Sequence, residues 1–374
     1  MKKEKDCKQV CAKKTSIGGQ ALIEGIMMRG PKKSAMAVRT PDGEIVLEQW
    51  ENKATGGSKI RRLPIIRGVF NFVTSMIDGY RCLMRSAELA GLEDAIEEEQ
   101  REKEAKKAEK RAKKAEKNVE KAENTAHAVT EESNEGENAE KKDSSALMAV
   151  LMVISTVLGV ALAIGLFIML PTILYGLLVQ WLPFLKFSNA ALDSLVKSVF
   201  EGVLKIIILV TYMALVSRMK DIKRTFMYHG AEHKTIFCYE DGRELTVENV
   251  RMERRFHPRC GTSFLILMLL VGIFIGFFID PLFILIAGEG FLSAGWVYTA
   301  IRAVVKLLLL PLTMGVGYEL IKLAGKHDNA FTRIISAPGL WLQRITVLEP
   351  TDDMIECAIT AFKEVIPEDE SDKF

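Results

Sequence analysis

From Ala146 to Leu182 the chain runs for 37 residues without a charged side chain. Roughly 20 apolar residues suffice to cross the hydrocarbon core of a bilayer, so this run predicts a membrane helix and argues against a purely soluble globule. The charge has been concentrated elsewhere: Glu97 to Glu123 carries 19 charged side chains in 27 positions, 9 acidic and 10 basic. Across all 374 residues the net charge is only +2. A field of that size does not recruit nucleic acid, because basic groups are matched by acidic ones.

Four spans are expected, within Leu147–Leu182, Leu195–Val216, Phe264–Ala287 and Trp296–Leu323. Pro171 lies in the first, which reads as one kinked or tilted crossing with an interfacial continuation. Arg218, Lys220, Lys223 and Arg224 follow the second span, and Arg251, Arg254, Arg255 and Arg259 precede the third. By the positive-inside rule that loop is cytoplasmic, and both termini with it. Met1 to Lys14 is basic but leads into no apolar segment, so no signal peptide is expected. The six cysteines, at 7, 11, 82, 238, 260 and 357, fall mostly in segments assigned to the cytosol, where disulfides are not expected.

The regions are then a basic tail (1–15), a hairpin-plus-helix region (16–92), a charged tether (93–145), a membrane bundle (146–325) with its loop 218–261, and a C-terminal region (326–374). Ala35–Arg39 and Glu44–Leu47 read as strands around the turn Pro41-Asp42-Gly43. Leu63–Leu89 reads as a helix whose Val69, Phe70, Val73, Met76, Ile77 and Tyr80 lie on the membrane surface or against the hairpin. The tether lacks an apolar face and reads as a solvated helix grading into a disordered linker. Pro338 to Gln343 reads as an interfacial turn with Trp341 at headgroup level. Asp352–Val365 reads as an amphipathic helix that packs on the hairpin region through Met354, Ile355, Ala358 and Phe362. The expected fold class is a predominantly α-helical multi-pass membrane protein, four transmembrane helices with a small cytoplasmic α+β body.

Two of only five histidines fall in Tyr228-His229-Gly230-Ala231-Glu232-His233. In a helix the i,i+4 imidazoles share one face a turn apart, near enough to hold one metal ion, with Glu232 beside them as a proton acceptor. The same H-x-x-E-H spacing occurs in inverted zinc proteases. His257-Pro258-Arg259-Cys260-Gly261 closes the same loop, and His257 and Cys260 are donors suited to zinc or another divalent transition metal. Four protein ligands, His229, His233, His257 and Cys260, make a closed structural site; three leave a position for chemistry. Glu240, Glu244, Glu248 and Glu253 are further carboxylates in reach of a ligand role. Glu24 and Arg29, in the glycine-rich stretch Gly18–Pro31, are expected to pair with each other or to join a site. Inside the spans, Asp280 with Lys306 and Glu201 with Lys205 are expected pairs, and such charges also mark transport paths.

Gly18–Pro31, Leu63-Pro-Ile-Ile-Arg-Gly68, Tyr228–Thr235, Leu245–Val250, Arg255–Ser263, Leu310-Pro311 with Tyr318-Glu319, and Ala337–Arg344 together resemble the YqhQ-like bacterial membrane proteins. That family has no established function and is described as metal-dependent enzymes. The resemblance implies a bacterial cytoplasmic membrane location and places His229, Glu232, His233, His257 and Cys260 in the family's pattern. It implies no substrate. Three readings stay open: a hydrolase with Glu232 as base at the cytoplasmic face, a scaffold or assembly factor with a structural metal, and a transporter using Asp280 and Lys306. The expected partners are the lipid bilayer and either a second copy or another membrane protein, not nucleic acid.

Overall fold

A computed structural model describes residues 14–52, 63–91, 154–288, 296–327 and 329–373. The charged tether, the tail before residue 14 and the connection 289–295 lie outside the described residues. Two compact units divide the chain: Met1–Ala90 with Leu170–Phe374, and Gly91–Met169.

Four strands, β1 (Gly18–Leu22), β2 (Gly25–Arg29), β3 (Lys33–Arg39) and β4 (Ile45–Glu51), form an antiparallel meander in chain order. The expected hairpin is β3–β4; β1 and β2 had been hidden by their glycines. In β2 and β3 both faces are covered, which is why Gly25-Ile-Met-Met28 and Ala35-Met-Ala-Val38 read as continuous apolar runs rather than alternating ones. Side chains alternate across the sheet, so Ile26, Met28, Ala35 and Ala37 enter one core and Met27, Met36 and Val38 another.

The first core is closed by α4 (Lys220–Glu240) and α10 (Asp352–Val365). Met354, Ile355, Ala358 and Phe362 are all at most 1% exposed there, and the small Ala35 and Ala37 let α10 lie close to the sheet. The second core holds Cys82 of α1 (Ile66–Leu89) against Leu22, Met27, Met36 and Val38. The apolar stripe read from the sequence is not what α1 buries. Gly68, Gly79, Cys82 and Ser86 face inward, while Phe70, Val73, Met76, Ile77 and Tyr80 point outward.

Among the described residues, three helices are long and apolar enough to cross a membrane, and a fourth candidate is a bent pair. α2 (Ile154–Trp181) is one helix. Its Gly165–Met169 segment winds as a π-helix just before Pro171, which loosens the turn where proline supplies no N–H. A 3₁₀ turn, Pro183–Leu185, follows. α3 (Ala190–Val216) is capped by Asn189, and α5 (Val247–Met252) by Thr246. α6 spans Gly261–Ala287. The expected fourth span is two helices, α7 (Trp296–Leu308) and α8 (Leu310–Lys326), bent by 42° where Pro311 opens the second.

The interfacial turn expected at Pro338–Gln343 is instead the interior of a helix, α9 (Ala330–Thr346). An Asn329–Thr332 capping box starts α9 early enough that Pro338 sits eight residues in, and the turn signal loses to the helix. Trp341 does face outward, 71% exposed.

Candidate metal centre

The buried middle of α4 carries His229, Glu232 and His233 on one face, as the i, i+3, i+4 spacing requires. Their ring centroids are 4.5 Å apart for the two histidines. Cys260, the residue before α6, approaches from the opposite side with its Sγ 3.1 Å from His229 Nε2. One donor atom from each of His229, His233 and Cys260 lies within 4.8 Å of the others. Donors on a tetrahedral zinc ion sit about 3.5 Å apart, so this set fits such an ion after a small closure.

The other ring nitrogens settle the orientation. His229 Nδ1 donates to the Thr346 carbonyl at 2.9 Å, and His233 Nδ1 donates to the Arg255 carbonyl at 2.5 Å. Each imidazole thereby turns its Nε2 inward, the outer support that metal-binding histidines characteristically have. Neither carbonyl was foreseeable from the motif. Gly230 is the local signal that was missed: a Cβ there would lie 1.9 Å from the Leu348 carbonyl oxygen. Only glycine lets the 346–348 segment run against α4, where the Leu348 N–H donates to the Phe226 carbonyl and Thr346 reaches His229.

His257 does not join the three donors. Its backbone is clamped by Gln343, whose Oε1 accepts from the His257 N–H at 2.9 Å while Nε2 donates to the His257 carbonyl at 2.8 Å and to Ser263 Oγ at 2.9 Å. This clamp depends on close helix contact, since a Cβ on Gly339 would fall 2.4 Å from Ser263. The ring instead stands beside Glu240, Nε2 to Oε2 3.6 Å, and packs on Phe237. Burial drives its pKa down to about 4 despite that carboxylate, with His233 and Arg259 adding to the fall. His257, expected as a ligand, thus stands outside the three-donor group, in the wall of the adjoining cavity. Glu240 is committed to Arg259, His257 and the Thr15 N–H.

Charge within the centre is balanced by proximity. Burial would raise the Cys260 thiol, but His229 and His233 hold it well below its ordinary value. Reciprocally, burial would lower His229, yet Cys260 and Glu232 lift it to about 9. The space between sulfur and imidazole therefore favours a cation, whether a proton or a metal ion. Glu232 is 5% exposed and accepts the Gly19 N–H; burial raises its pKa, and the two histidines oppose the rise. A cavity of about 150 Å³ beside Glu232, His233 and Cys260 is walled by Thr15–Gly19 and Arg259. The glycine-rich stretch thus reaches the centre through backbone, not through its charges.

Glu24 and Arg29 do not pair. Glu24, at φ 49° in the β1–β2 turn, binds Arg224, and Arg29 reaches Asp78 at 3.3 Å. Asp280 and Lys306 are not partners either. Arg302 takes Asp280 at 2.8 Å and Glu201 at 2.6 Å, and Lys306 takes Glu201 at 3.0 Å. For Glu201 the i,i+4 spacing suggested Lys205 on the same helix, whereas the ion pairs formed are with Arg302 and Lys306 of α7. Among the described cysteines, 82, 238, 260 and 357 are all free.

The Bacillus subtilis protein called "Uncharacterized protein YqhQ" is 30% identical over 355 residues, covering 94% of this chain and 92% of that one. No solved structure matches. The family model described as protein of unknown function DUF1385 matches residues 63–368, which include α4, Cys260 and the Gln343 clamp. On that match and that identity, the chain belongs to the DUF1385, YqhQ-like family.

Proposed function

We propose that the protein is a metal-dependent hydrolase of the bacterial cytoplasmic membrane, with its centre at the cytoplasmic face. The observation that carries this reading is the set of three buried donors, His229, His233 and Cys260, next to a carboxylate that is not one of them. Three protein ligands leave a fourth position open, the pattern of catalytic rather than structural zinc sites. A divalent transition metal bound there supplies Lewis acidity toward water and toward a carbonyl or phosphoryl group. Glu232, with its raised pKa, is suited to take a proton from water and return it to a leaving group. Gly19 N–H fixes its orientation, and the surrounding burial excludes bulk water.

The same body supports the proposed location and topology. Residues 14–52, α4 and α10 pack into one core, so the N-terminal region, the 218–261 loop and the C-terminal region lie on one side. That needs an even number of crossings between each pair, which α2 with α3, and α6 with the bent α7–α8 pair, provide. The basic residues flanking α4 and α5 support the reading of this side as the cytoplasm.

A scaffold held by a structural metal is the second reading, favoured by the near-complete burial of all three donors. Glu232→Gln separates the two. The chain reconstituted in nanodiscs with a membrane extract is assayed by mass spectrometry for products formed with zinc present. The hydrolase reading expects products from the wild type, none from Glu232→Gln, and equal metal in both. Identical product profiles at equal metal content would leave the structural reading.

A further inference from the structure

A second cavity, about 270 Å³, lies on the other side of His257 and Arg259 from the metal centre. Lys14, Arg254, Arg259 and Arg333 line it, against the single carboxylate of Glu240. The formal charge of these five groups is +3, from four cations less one anion. Three of the cations are guanidiniums, whose planar forks suit phosphate oxygens. Their separation along the chain is wide. Lys14 precedes β1, Arg254 and Arg259 flank the His257 turn, and Arg333 rises from the first turns of α9, so the fold gathers them. Arg254 is held in place over the Phe237 ring, 4.2 Å from its centroid, and Lys14 is tied to the Gly325 carbonyl at 3.2 Å.

The rest of the lining is mixed, with Thr332 and Ser336 polar and Phe237, Phe256 and Leu340 apolar. The cavity also sits at the α8–α9 junction, where the last turn of the fourth candidate span meets a helix presenting Phe331, Ile334 and Trp341 outward at 56%, 71% and 71% exposure. A basic pocket with a partly apolar lining, opening beside an outward apolar helix, has the polarity of an amphiphile: charged at one end, oily at the other.

We infer that this cavity binds the phosphate group of an anionic membrane amphiphile, held beside the metal centre through the shared wall of His257 and Arg259. The inference rests on the hydrolase reading only for its consequence, that the bound amphiphile is the substrate class; binding itself does not require a metal. Arg259 is held by Glu240, and Arg254 and Arg333 stand with it on the cavity wall.

The test uses the full chain in neutral detergent, titrated with phosphatidylglycerol, with phosphatidylcholine and with inorganic phosphate, and followed by native mass spectrometry. Metal content is measured on the same samples. The wild type is expected to retain phosphatidylglycerol over phosphatidylcholine, and Arg254→Gln/Arg333→Gln to weaken that retention by about tenfold or more. Metal content should not change. Arg333→Gln alone, at an exposed position, should weaken retention in part and keeps the test open if the double variant unfolds. Equal retention by wild type and a folded variant would overturn the site. Binding of inorganic phosphate with no preference for the anionic lipid would overturn the membrane source. A metal-free chain that still prefers phosphatidylglycerol would sustain the cavity and remove the hydrolase reading.

Discussion

Gly230 shows how much a single missing side chain can decide. A methyl group there meets a backbone carbonyl at 1.9 Å, and a backbone cannot rotate away as a side chain can. Gly230→Ala should therefore push the 346–348 segment off α4, cost about 1–3 kcal/mol of stability, and misalign His229 by moving the Thr346 carbonyl. Thermal unfolding together with metal content checks both effects; wild-type values of each would contradict the account. Gln343 is the other residue whose role lies in position. It is fully buried and makes three hydrogen bonds that set the His257–Cys260 turn. Gln343→Leu should lower metal affinity by roughly 10–100-fold, the usual loss when an outer support of a ligand is removed, without removing a donor. The histidine pair and Glu232 were legible because helical periodicity alone places them together. Their carbonyl partners and Gln343 were not, because they come from segments 22 to 117 positions away.

Among elements, legibility followed the strength of the local signal. The helices at Asp352–Val365 and Ile66–Leu89 stood out by apolar periodicity, and the β3–β4 hairpin by its Pro-Asp-Gly turn. β1 and β2 were obscured because glycine is a poor strand former, and their place in the sheet comes from pairing with β3. Pro338 misled for the opposite reason, a strong breaker overruled by α9's packing on α6 through Gly339. The buried ions of α3, α6 and α7 depend on three-dimensional neighbours in the same way. Arg302 holds both Asp280 and Glu201, and each of the three is at most 3% exposed. Removing it takes the shared guanidinium from Asp280 and Glu201, leaving Lys306 on Glu201 and Lys205 lining the same pocket. Arg302→Met should destabilise the protein by about 3–5 kcal/mol, and adding Glu201→Gln should recover part of the loss. Unfolding in detergent measures it; an Arg302→Met protein as stable as wild type would show that the network is not formed.

At the scale of the whole molecule, three stretches far apart in sequence close one body around α4, and Cys260 ties that body to the first residue of α6. Metal binding at such a centre must compete with protons. His229 is lifted to about 9, so at neutral pH its site holds a proton that an incoming ion displaces. Zinc affinity should accordingly rise as pH climbs toward about 9, with proton release visible in calorimetry across buffers of different ionisation enthalpy; an affinity independent of pH would contradict the pairing of His229 with Cys260. The most direct measurement is elemental analysis of the folded, purified chain and its single variants. One transition-metal ion per chain is expected in the wild type and in His257→Ala, with loss in His229→Ala, His233→Ala and Cys260→Ala. A folded wild type without metal, or a His257→Ala protein that alone loses it, would contradict the three-donor centre.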